Sequence, residues 1–520
     1  MKLFTIGDSI SQGFMSAAAA RTEFAYSTLI ASQLGLGLNV KDGYSFPTWE
    51  AGGLPLNLEL IMRALARRYG RDINAIEWLT VLQTINDVVN TSEEFYERGP
   101  GALRPPRPGG YGGGTPSFDN VSVRGFDVAD SWLVTPEVCR EVIGRSGSGF
   151  FDNGYLTGPD FPFYRTALKV LNPTDDSAFE NFSQMSWLER HATKAKGGVE
   201  NLILWHGANN ALGTVLKLSI SQTPDNPARR PVAMSHVERA ARKWNLWHPN
   251  DFDAEYEEMF ARVDRIMRAN KAPDWRVFIG TVPMVTIAPL AKGVGDTVTF
   301  DVPEDDASGE PLMRDGRRVT HREAYYKFYT YFPFDEAYAQ GGGSCLNRQE
   351  ALLIDNTIRQ YNRKIKALAA KANREHGAQR YHIVDLAETL RALALKRNEG
   401  NPSYEFPRFL EFKHPMVDTK YYFADTDGRL RQGGLFSLDG VHPTPILHGL
   451  IAWEFLKVMR AAGVKGGGGG PLVADFTDDQ WRAIFANDLL YSSPIPLMQE
   501  LFAHRKLAEH LLGFVKAING

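Results

Sequence analysis

The sequence lacks the features that define several classes of protein. It has only two cysteines, Cys139 and Cys345, among 520 residues. This number excludes a disulfide framework and leaves either two free thiols or one optional bridge. Acidic and basic residues nearly balance, at 61 against 58, with a formal net charge of −3. Because no basic field is present, we expect no nucleic-acid partner.

Long apolar runs are also missing. No uninterrupted apolar stretch approaches the ~20 residues that a membrane-spanning helix needs. The residues after Lys2 lack the hydrophobic core of a signal peptide, so the predicted location is cytoplasmic, with another export route as the alternative. The chain is 43% hydrophobic and 23% charged. These values are typical of a globular protein with a large core.

The first thirteen residues carry the most informative motif. The apolar run from Leu3 to Ile6 ends in Gly7-Asp8-Ser9-Ile10-Ser11-Gln12-Gly13. In an open α/β sheet, ligands bind beyond the carboxyl ends of the strands. A serine at the tip of the first predicted strand is therefore placed for chemistry, and Ser9 is the candidate nucleophile.

A base and an orienting acid for this serine are found near the other end of the chain. The segment Ser437-Leu438-Asp439-Gly440-Val441-His442-Pro443-Thr444 precedes an apolar-periodic stretch from Ile446 to Met459. Asp439 can hold one nitrogen of His442 as a donor, leaving the other to accept the Ser9 proton. Each motif alone also fits a simple turn or a helix cap. Their occurrence together favours a catalytic triad.

Acyl transfer further requires donors aimed at the developing oxyanion. The run from Leu202 to His206 ends in Gly207-Ala208-Asn209-Asn210, and the Asn209 amide is the predicted side-chain donor. The Ser9 backbone N–H is a second donor. Gly53, with Gly52 as the alternative, precedes a helical pattern and can bring a third N–H close to a substrate.

In this order, the residues resemble the SGNH, or GDSL-type, hydrolase superfamily. Gly7-Asp8-Ser9-Ile10 looks like its nucleophile block, Gly53 its glycine block, Gly207-Ala208-Asn209-Asn210 its asparagine block and Asp439-Gly440-Val441-His442-Pro443 its acid and base block. The family usually has Asp where Asn210 stands. The resemblance implies a flavodoxin-like, three-layer α/β/α sandwich with a parallel sheet of about five strands, an acyl-transfer activity and no cofactor. It implies no particular substrate.

The apolar pattern predicts an α/β domain over residues 1–465. Predicted strands are Leu3 to Ile6, Leu38 to Val40, Leu202 to His206, Trp275 to Gly280 and Tyr381 to Asp385. Predicted helices are Glu23 to Leu34, Leu56 to Arg68, Asp253 to Met267, Arg348 to Glu375 and Ile446 to Met459. Insertions at about 88–198, 288–344 and 401–434 leave from strand carboxyl ends, where lids and substrate walls belong.

Two further segments allow alternative interpretations. The aromatic run from Tyr325 to Phe334 could line a substrate pocket, but a small core of the second insertion is favoured. After the linker Gly466 to Gly470, residues 471–520 form a helical appendage with an apolar-periodic stretch from Pro496 to Ile518. Docking onto the protein itself or a second copy is favoured there over membrane contact.

The predicted function is hydrolysis of a lipid, sugar or other small-molecule ester through an acyl-enzyme on Ser9. An acyltransferase with the same triad is the first alternative, and a binding protein on this scaffold is the second, favoured only by Asn210. No pair of the remaining histidines has metal-ligand spacing, so no metal is predicted. His206 could touch substrate, although a histidine at a strand end is more often structural.

Overall fold

A computed structural model describes residues 2–71, 73, 77–98, 116–144, 161–194, 197–411, 416–503, 509 and 512–513. The strands are β1 (Leu3–Gly7), β2 (Phe14–Met15), β3 (Ala18–Ala19), β4 (Leu54–Pro55), β5 (Asn201–Trp205), β6 (Arg276–Gly280), β7 (Ala291–Pro303), β8 (Met313–Arg314), β9 (Arg317–Arg318), β10 (Thr320–Tyr331), β11 (Leu346–Asn347), β12 (Tyr381–Val384), β13 (Phe423–Ala424) and β14 (Leu430–Gln432).

The helices of the described chain lie between these strands and after the last of them. They are α1 (Ser9–Gln12), α2 (Tyr26–Gln33), α3 (Leu58–Tyr69), α4 (Trp78–Arg98), α5 (Asp130–Leu133), α6 (Pro136–Gly144), α7 (Phe161–Leu171), α8 (Gln184–Thr193), α9 (Asn209–Lys217), α10 (His236–Ala240), α11 (Pro249–Arg268), α12 (Glu336–Gln340), α13 (Arg348–His376), α14 (Leu386–Leu393), α15 (Arg408–Glu411), α16 (Pro445–Ala461), α17 (Asp478–Asn487), α18 (Leu489–Ser492) and α19 (Met498–Ala503).

The centre of the protein is a parallel sheet of four strands in the order β1, β5, β6 and β12. In the first pair, Leu3 lies opposite Asn201 and Gly7 lies opposite Trp205. Every residue of β1 and β5 is buried. Continuous apolar runs of this kind form strands that are covered on both faces. Helices α2 and α16 pack against each other beside the sheet, and α8, α11 and α13 form a second packed group. The predicted α/β class is confirmed.

One of the five predicted strands is wrong. Leu38 makes only an isolated bridge to Tyr44, and Val40 is 57% exposed, so this segment has no buried face that could join the sheet. The edge of β1 is instead occupied by residues 119–123. The Thr5 N–H donates to the Asp119 carbonyl over 2.8 Å, and the Val123 N–H donates to the Gly7 carbonyl over 3.2 Å.

That edge segment lies inside the first predicted insertion, 88–198. Val121 and Val123 are fully buried, so part of this interval belongs to the central sheet and not to an excursion from it. Residues 99–115, 145–160 and 195–196 of the same interval lie outside the described residues.

The second predicted insertion contains a long antiparallel hairpin of β7 and β10, with Tyr331 opposite Ala291. Its aromatic run is mostly core: Tyr325 and Tyr329 are fully buried. The Arg397 guanidinium lies 4.0 Å from the centre of the Tyr325 ring. Large rings bury much apolar area per residue, which explains why they stabilise a small module.

The chain after Gly470 packs against the body of the protein. Trp481 and Ile484 of α17 lie against Gly449 of α16, and the Phe502 ring of α19 lies 5.3 Å from the Phe332 ring. Most of the predicted helical stretch from Pro496 to Ile518 beyond Ala503 lies outside the described residues. Within the described part of the chain, no helix combines the length and apolarity needed to cross a bilayer.

Candidate active site

Ser9 begins a short helix directly after β1. Its neighbour Asp8 caps this helix, because one Asp8 carboxylate oxygen accepts the Ile10 N–H over 3.1 Å. Burial raises the pKa of Asp8 to about 7. As the first helical residue, Ser9 has a backbone N–H without an intrahelical acceptor. The serine hydroxyl and this N–H therefore lie together at the carboxyl end of the sheet.

His442 and Asp439 complete a hydrogen-bonded chain with Ser9. The Ser9 Oγ lies 2.9 Å from the His442 Nε2, and the His442 Nδ1 lies 3.0 Å from the Asp439 Oδ2. Ser9, His442 and Asp439 are 4%, 2% and 0% exposed. In this tautomer, the Nδ1–H donates to the carboxylate and the Nε2 accepts the serine proton. The structure thus brings Ser9 together with His442, 433 positions farther along the chain, and with Asp439.

The acid is held by donors from two parts of the chain. Asp439 Oδ1 accepts the backbone N–H groups of Val441 and His442, both over 2.9 Å. Asp439 Oδ2 also accepts the Ala17 N–H over 2.8 Å. Burial by itself would raise the pKa of Asp439, but the charge of His442 and these hydrogen bonds lower it. The carboxylate is therefore kept ionised beside the imidazole.

Local geometry explains the spacing of the acid and the base. Gly440, between them, has a φ of +67°, and a side chain there would bring its Cβ within 2.9 Å of the Leu290 nitrogen. Its N–H closes a turn onto the Ser437 carbonyl over 2.8 Å. The Phe14 ring packs edge-on against the imidazole of His442, with centroids 4.7 Å apart. These contacts fix the orientation of the imidazole.

The predicted side-chain donor lies in the same cavity as Ser9 and His442. The Asn209 Nδ2 donates one hydrogen to the Phe126 carbonyl over 2.9 Å. An amide nitrogen carries two hydrogens, so the second is available to a ligand. The neighbouring Asn210 is fully buried, and its oxygen accepts the Val128 N–H over 3.2 Å. Asn210 therefore supports the turn that holds Asn209.

The prediction that Gly53 supplies a backbone donor is wrong. The Gly53 N–H donates to the Glu50 carbonyl over 2.9 Å, and Gly53 sits beside the Ala19 carbonyl next to the β2–β3–β4 hairpins. Neither Gly53 nor Gly52 lines the cavities at Ser9. Both glycines precede a helix, as a glycine at a strand-to-helix crossing would. The chain before them, however, is not a strand of the central sheet.

A different glycine, Gly125, lies at the cavity. It follows the edge segment beside β1 and lines the cavity with Ser9, Asn209 and His442. Its φ is +77°, and a Cβ there would lie 3.0 Å from the Phe163 ring. The alternation of Val121 and Val123 with polar residues, followed by this glycine, is the sequence signal that could have identified a strand ending at the site.

Two cavities of opposite character meet at Ser9 and His442. The wide cavity is lined by charged, polar and aromatic residues that include Asp130, His236, Arg239, Trp244 and Trp247. The narrow cavity is lined by apolar residues of α9, α14, α16 and the segment after β6. A bound molecule with one polar arm and one apolar arm could place its centre at the serine.

A second acid and histidine pair lines the wide cavity. The His236 Nδ1 lies 2.8 Å from the Asp130 Oδ1, and its Nε2 lies 2.9 Å from the Tyr164 hydroxyl. Burial would lower the pKa of His236, but the charge and hydrogen bond of Asp130 raise it. Burial would likewise raise the pKa of Asp130, but His236 and Arg239 lower it. No local pattern in the sequence indicated this pair.

Other candidates are placed away from the chemistry. His206 is fully buried and bonded to the Gln184 side chain over 2.9 Å, so it is structural. Cys139 is buried and Cys345 is half-buried, and both are free thiols. Among the residues that the structure describes, no group of three or more histidine, cysteine or acidic side chains could hold a metal ion.

The arrangement can perform nucleophilic chemistry at a carbonyl carbon. The imidazole can remove the Ser9 proton as the Oγ attacks, and the carboxylate can stabilise the imidazolium that forms. Ser9, Gly125 and Asn209 line the same cavity. Comparison with protein-family models, with curated proteins and with solved structures finds no match to this chain.

Proposed function

We propose that the protein hydrolyses a carboxylic ester through an acyl-enzyme on Ser9. The observation that carries this proposal is the continuous chain from Ser9 Oγ to His442 Nε2 at 2.9 Å and from His442 Nδ1 to Asp439 Oδ2 at 3.0 Å. A serine with a base, and a base with an orienting acid, is the combination that activates a weak hydroxyl nucleophile.

In the first half-reaction, Ser9 Oγ attacks the acyl carbon while its proton moves to His442 Nε2. The carbon–oxygen bond to the alcohol then breaks, and the imidazolium gives its proton to the departing oxygen. Asp439 stays ionised throughout and stabilises the imidazolium. The low pKa of Asp439, caused by His442 and by backbone donors despite its burial, suits this role.

The negative oxygen of the tetrahedral intermediate requires donors that are already oriented. We assign these to the Ser9 and Gly125 N–H groups and the Asn209 amide, which line one cavity. Among the described residues, the Gly125 N–H makes no backbone hydrogen bond that would occupy it. Each donor of this type contributes on the order of 3 kcal/mol to transition-state stabilisation.

In the second half-reaction, a water molecule replaces the alcohol. His442 accepts a proton from the water, the hydroxide oxygen attacks the acyl carbon, and Ser9 leaves with the proton returned by His442. The products are a carboxylic acid and the regenerated enzyme. A second alcohol in place of water would give transesterification with the same residues.

We further propose that the fold is the three-layer sandwich of the SGNH type. Support comes from the order of Ser9, Asn209, Asp439 and His442 along the chain and from their places after β1, after β5 and before α16. Gly125, which follows the sheet-edge segment, would then serve as the glycine donor of the pattern. Asn210 stands where the family usually has Asp. Its side-chain oxygen still accepts a hydrogen bond from the Val128 N–H.

A fluorophosphonate serine-hydrolase probe tests the function directly. We expect one covalent adduct by intact mass and turnover of a short-chain nitrophenyl ester, both lost in Ser9→Ala. Ser11→Ala is the matched control, because its hydroxyl lies in the same short helix but is bonded to Tyr26 over 2.8 Å. No adduct and no turnover from folded protein would overturn the proposal in favour of a binding protein.

A further inference from the structure

We propose that the natural ester joins a short apolar acyl group, bound in the narrow cavity, to a polar alcohol, bound in the wide cavity. This inference rests on the proposed function, since it assigns the two arms of the ester to the two spaces that meet at Ser9. The assignment follows from the lining, the size and the placement of these cavities.

The narrow cavity has the lining of an acyl site. Among the described residues that line it, Ser9 and His442 are the only polar side chains. The rest are apolar groups such as Leu212, Val285 and Leu390. A polar alcohol placed there would lose its hydrogen bonds to water and find no replacement, whereas a hydrocarbon chain gains by leaving water.

The size of this cavity limits the chain. About 50 Å³ is open to the centres of water molecules, and one water requires ~10–15 Å³ on this measure. The space therefore holds about four water-sized groups. With the carbonyl carbon at Ser9, an acyl group of about five carbons would fill it.

The wide cavity has the properties of a leaving-group site. It offers about 190 Å³ on the same measure and is lined by both charged groups and the Trp244 and Trp247 rings. Indole rings combine a large apolar face with a polar N–H, which suits a ring-bearing polar ligand. The alcohol takes its proton from His442, and the water of the second half-reaction must reach the same place. A polar, open cavity satisfies both requirements.

The geometry of α16 indicates which residues end the narrow cavity. Leu447 and Ile451 both line it, one helical turn apart, after the loop that carries His442. Ile451 is the farther of the two along the helix from His442 and is fully buried. We therefore assign Ile451 as the side chain that bounds the narrow cavity on the side away from His442.

A chain-length series is the first test. We expect kcat/KM for nitrophenyl esters to rise by about fourfold for each methylene from acetyl to about pentanoyl. It should then fall at octanoyl. For the alcohol arm, the glycerol ester of butyric acid should be cleaved faster than the hexyl ester. A flat series, or preference for the hexyl ester, would overturn the assignment while turnover itself keeps the proposed function intact.

Two variants change the depth of the cavity in opposite directions. Ile451→Ala should move the optimum chain length up by about two carbons. Ala288 also lines the narrow cavity, so Ala288→Leu should fill it and lower the ratio of pentanoyl to acetyl turnover by about tenfold or more. Ala288→Leu adds volume where Ile451→Ala removes it, so the two variants test the cavity through independent effects on folding.

Ile446→Ala is the matched control. Ile446 is also fully buried in α16 but does not line the cavity, so it loses the same atoms without giving the acyl chain room. An equal shift in optimum for Ile446→Ala and Ile451→Ala would overturn the inference. Loss of both fluorophosphonate labelling and turnover in wild-type protein would contradict the proposed function instead.

Discussion

Two hydrogen-bonded series of side chains, each made of an acid, a histidine and a hydroxyl, reach one cavity of this protein. In the first, Asp439, His442 and Ser9 are joined by contacts of 3.0 and 2.9 Å. In the second, Asp130, His236 and Tyr164 are joined by contacts of 2.8 and 2.9 Å. The hydrogen-bond distances and the burial of the side chains do not distinguish the two series. They differ in the hydroxyl group at the end and in what surrounds it.

Ser9 is a primary alcohol just after β1, and it lines one cavity with Gly125 and Asn209, the proposed oxyanion donors. Tyr164 is a phenol on α7 that is 3% exposed, and its histidine stacks on the Phe163 ring at 5.7 Å. Asp130 also has a further cation nearby, since Arg239 contributes to lowering the pKa of Asp130. An acid, a histidine and a hydroxyl thus indicate nucleophilic catalysis only when oxyanion donors face the hydroxyl.

The largest expected contrast separates the two hydroxyls. Ser9→Ala should lower kcat on the order of 10⁶-fold, because it removes the nucleophile. Tyr164→Phe should leave kcat within about tenfold and cost about 1–3 kcal/mol of stability by removing a partner of His236. Steady-state kinetics and urea unfolding measure the two effects. If Tyr164→Phe lost activity but kept full stability, the series of Asp130, His236 and Tyr164 would take part in catalysis.

The next largest contrast is expected between the two acids, Asp439 and Asp130, in their effect on kcat. Asp439→Asn should lower kcat about 10⁴-fold, because an amide cannot hold His442 in the required tautomer or stabilise the imidazolium. Asp130→Asn keeps the shape of the second series and should change kcat by less than about tenfold. The same nitrophenyl ester serves for both. Equal losses would mean that both histidines transfer protons during turnover.

The proposed oxyanion donors provide a finer test of the first series. They are expected to distinguish Ser9 from the Tyr164 hydroxyl. Asn209→Ala should lower kcat by about 10²–10³-fold with little change in KM, since the amide acts on the transition state. Asn210→Ala is the neighbouring control: it removes the partner of the Val128 N–H, so we expect about 1–3 kcal/mol of lost stability. If Asn209→Ala raised only KM, its amide would bind the ground state and the oxyanion assignment would be wrong.

The smallest expected effect is a pH dependence of the folding stability that arises from His236, in the second hydrogen-bonded series. Folding raises the pKa of His236, against its burial, through Asp130. A raised pKa means that His236 stabilises the folded state fully below its unfolded pKa of about 6.5 and less as the pH rises through the folded value. His236→Gln should therefore cost about 1–3 kcal/mol at pH 6 and less at pH 9.

Urea unfolding at the two pH values measures this difference. His206→Gln is the control, because burial lowers the pKa of His206 to about 4, so the cost of losing it should not grow at the lower pH. Equal costs of His236→Gln at pH 6 and pH 9 would mean that the pKa of His236 is the same in the folded and the unfolded protein, and that Asp130 does not raise it.

The parts of the site that were predicted from the sequence are the local ones. Ser9 directly follows an apolar run, and Asp439 and His442 share one turn, so strand ends and short spacings reveal them. Asn209 follows β5 in the same way. Gly53 was a wrong choice because its glycine-rich turn precedes a helix without following a strand of the central sheet. The strand at Leu38 was wrong because its side chains have no buried face.

The sequence by itself determined Ser9 as the candidate nucleophile, the turn that carries Asp439 and His442, the α/β alternation and the bounds of α2, α3, α11, α13 and α16 to within a few residues. It did not predict α4. The predicted features depend on periodicity and on groups close together along the chain. Only the tertiary structure decided that Gly125 lies at the site, that Asp130 and His236 form a second pair, and that an apolar and a polar cavity meet at Ser9. These contacts join segments about a hundred or more residues apart, and strand pairing and core packing, which no local pattern encodes, bring them together.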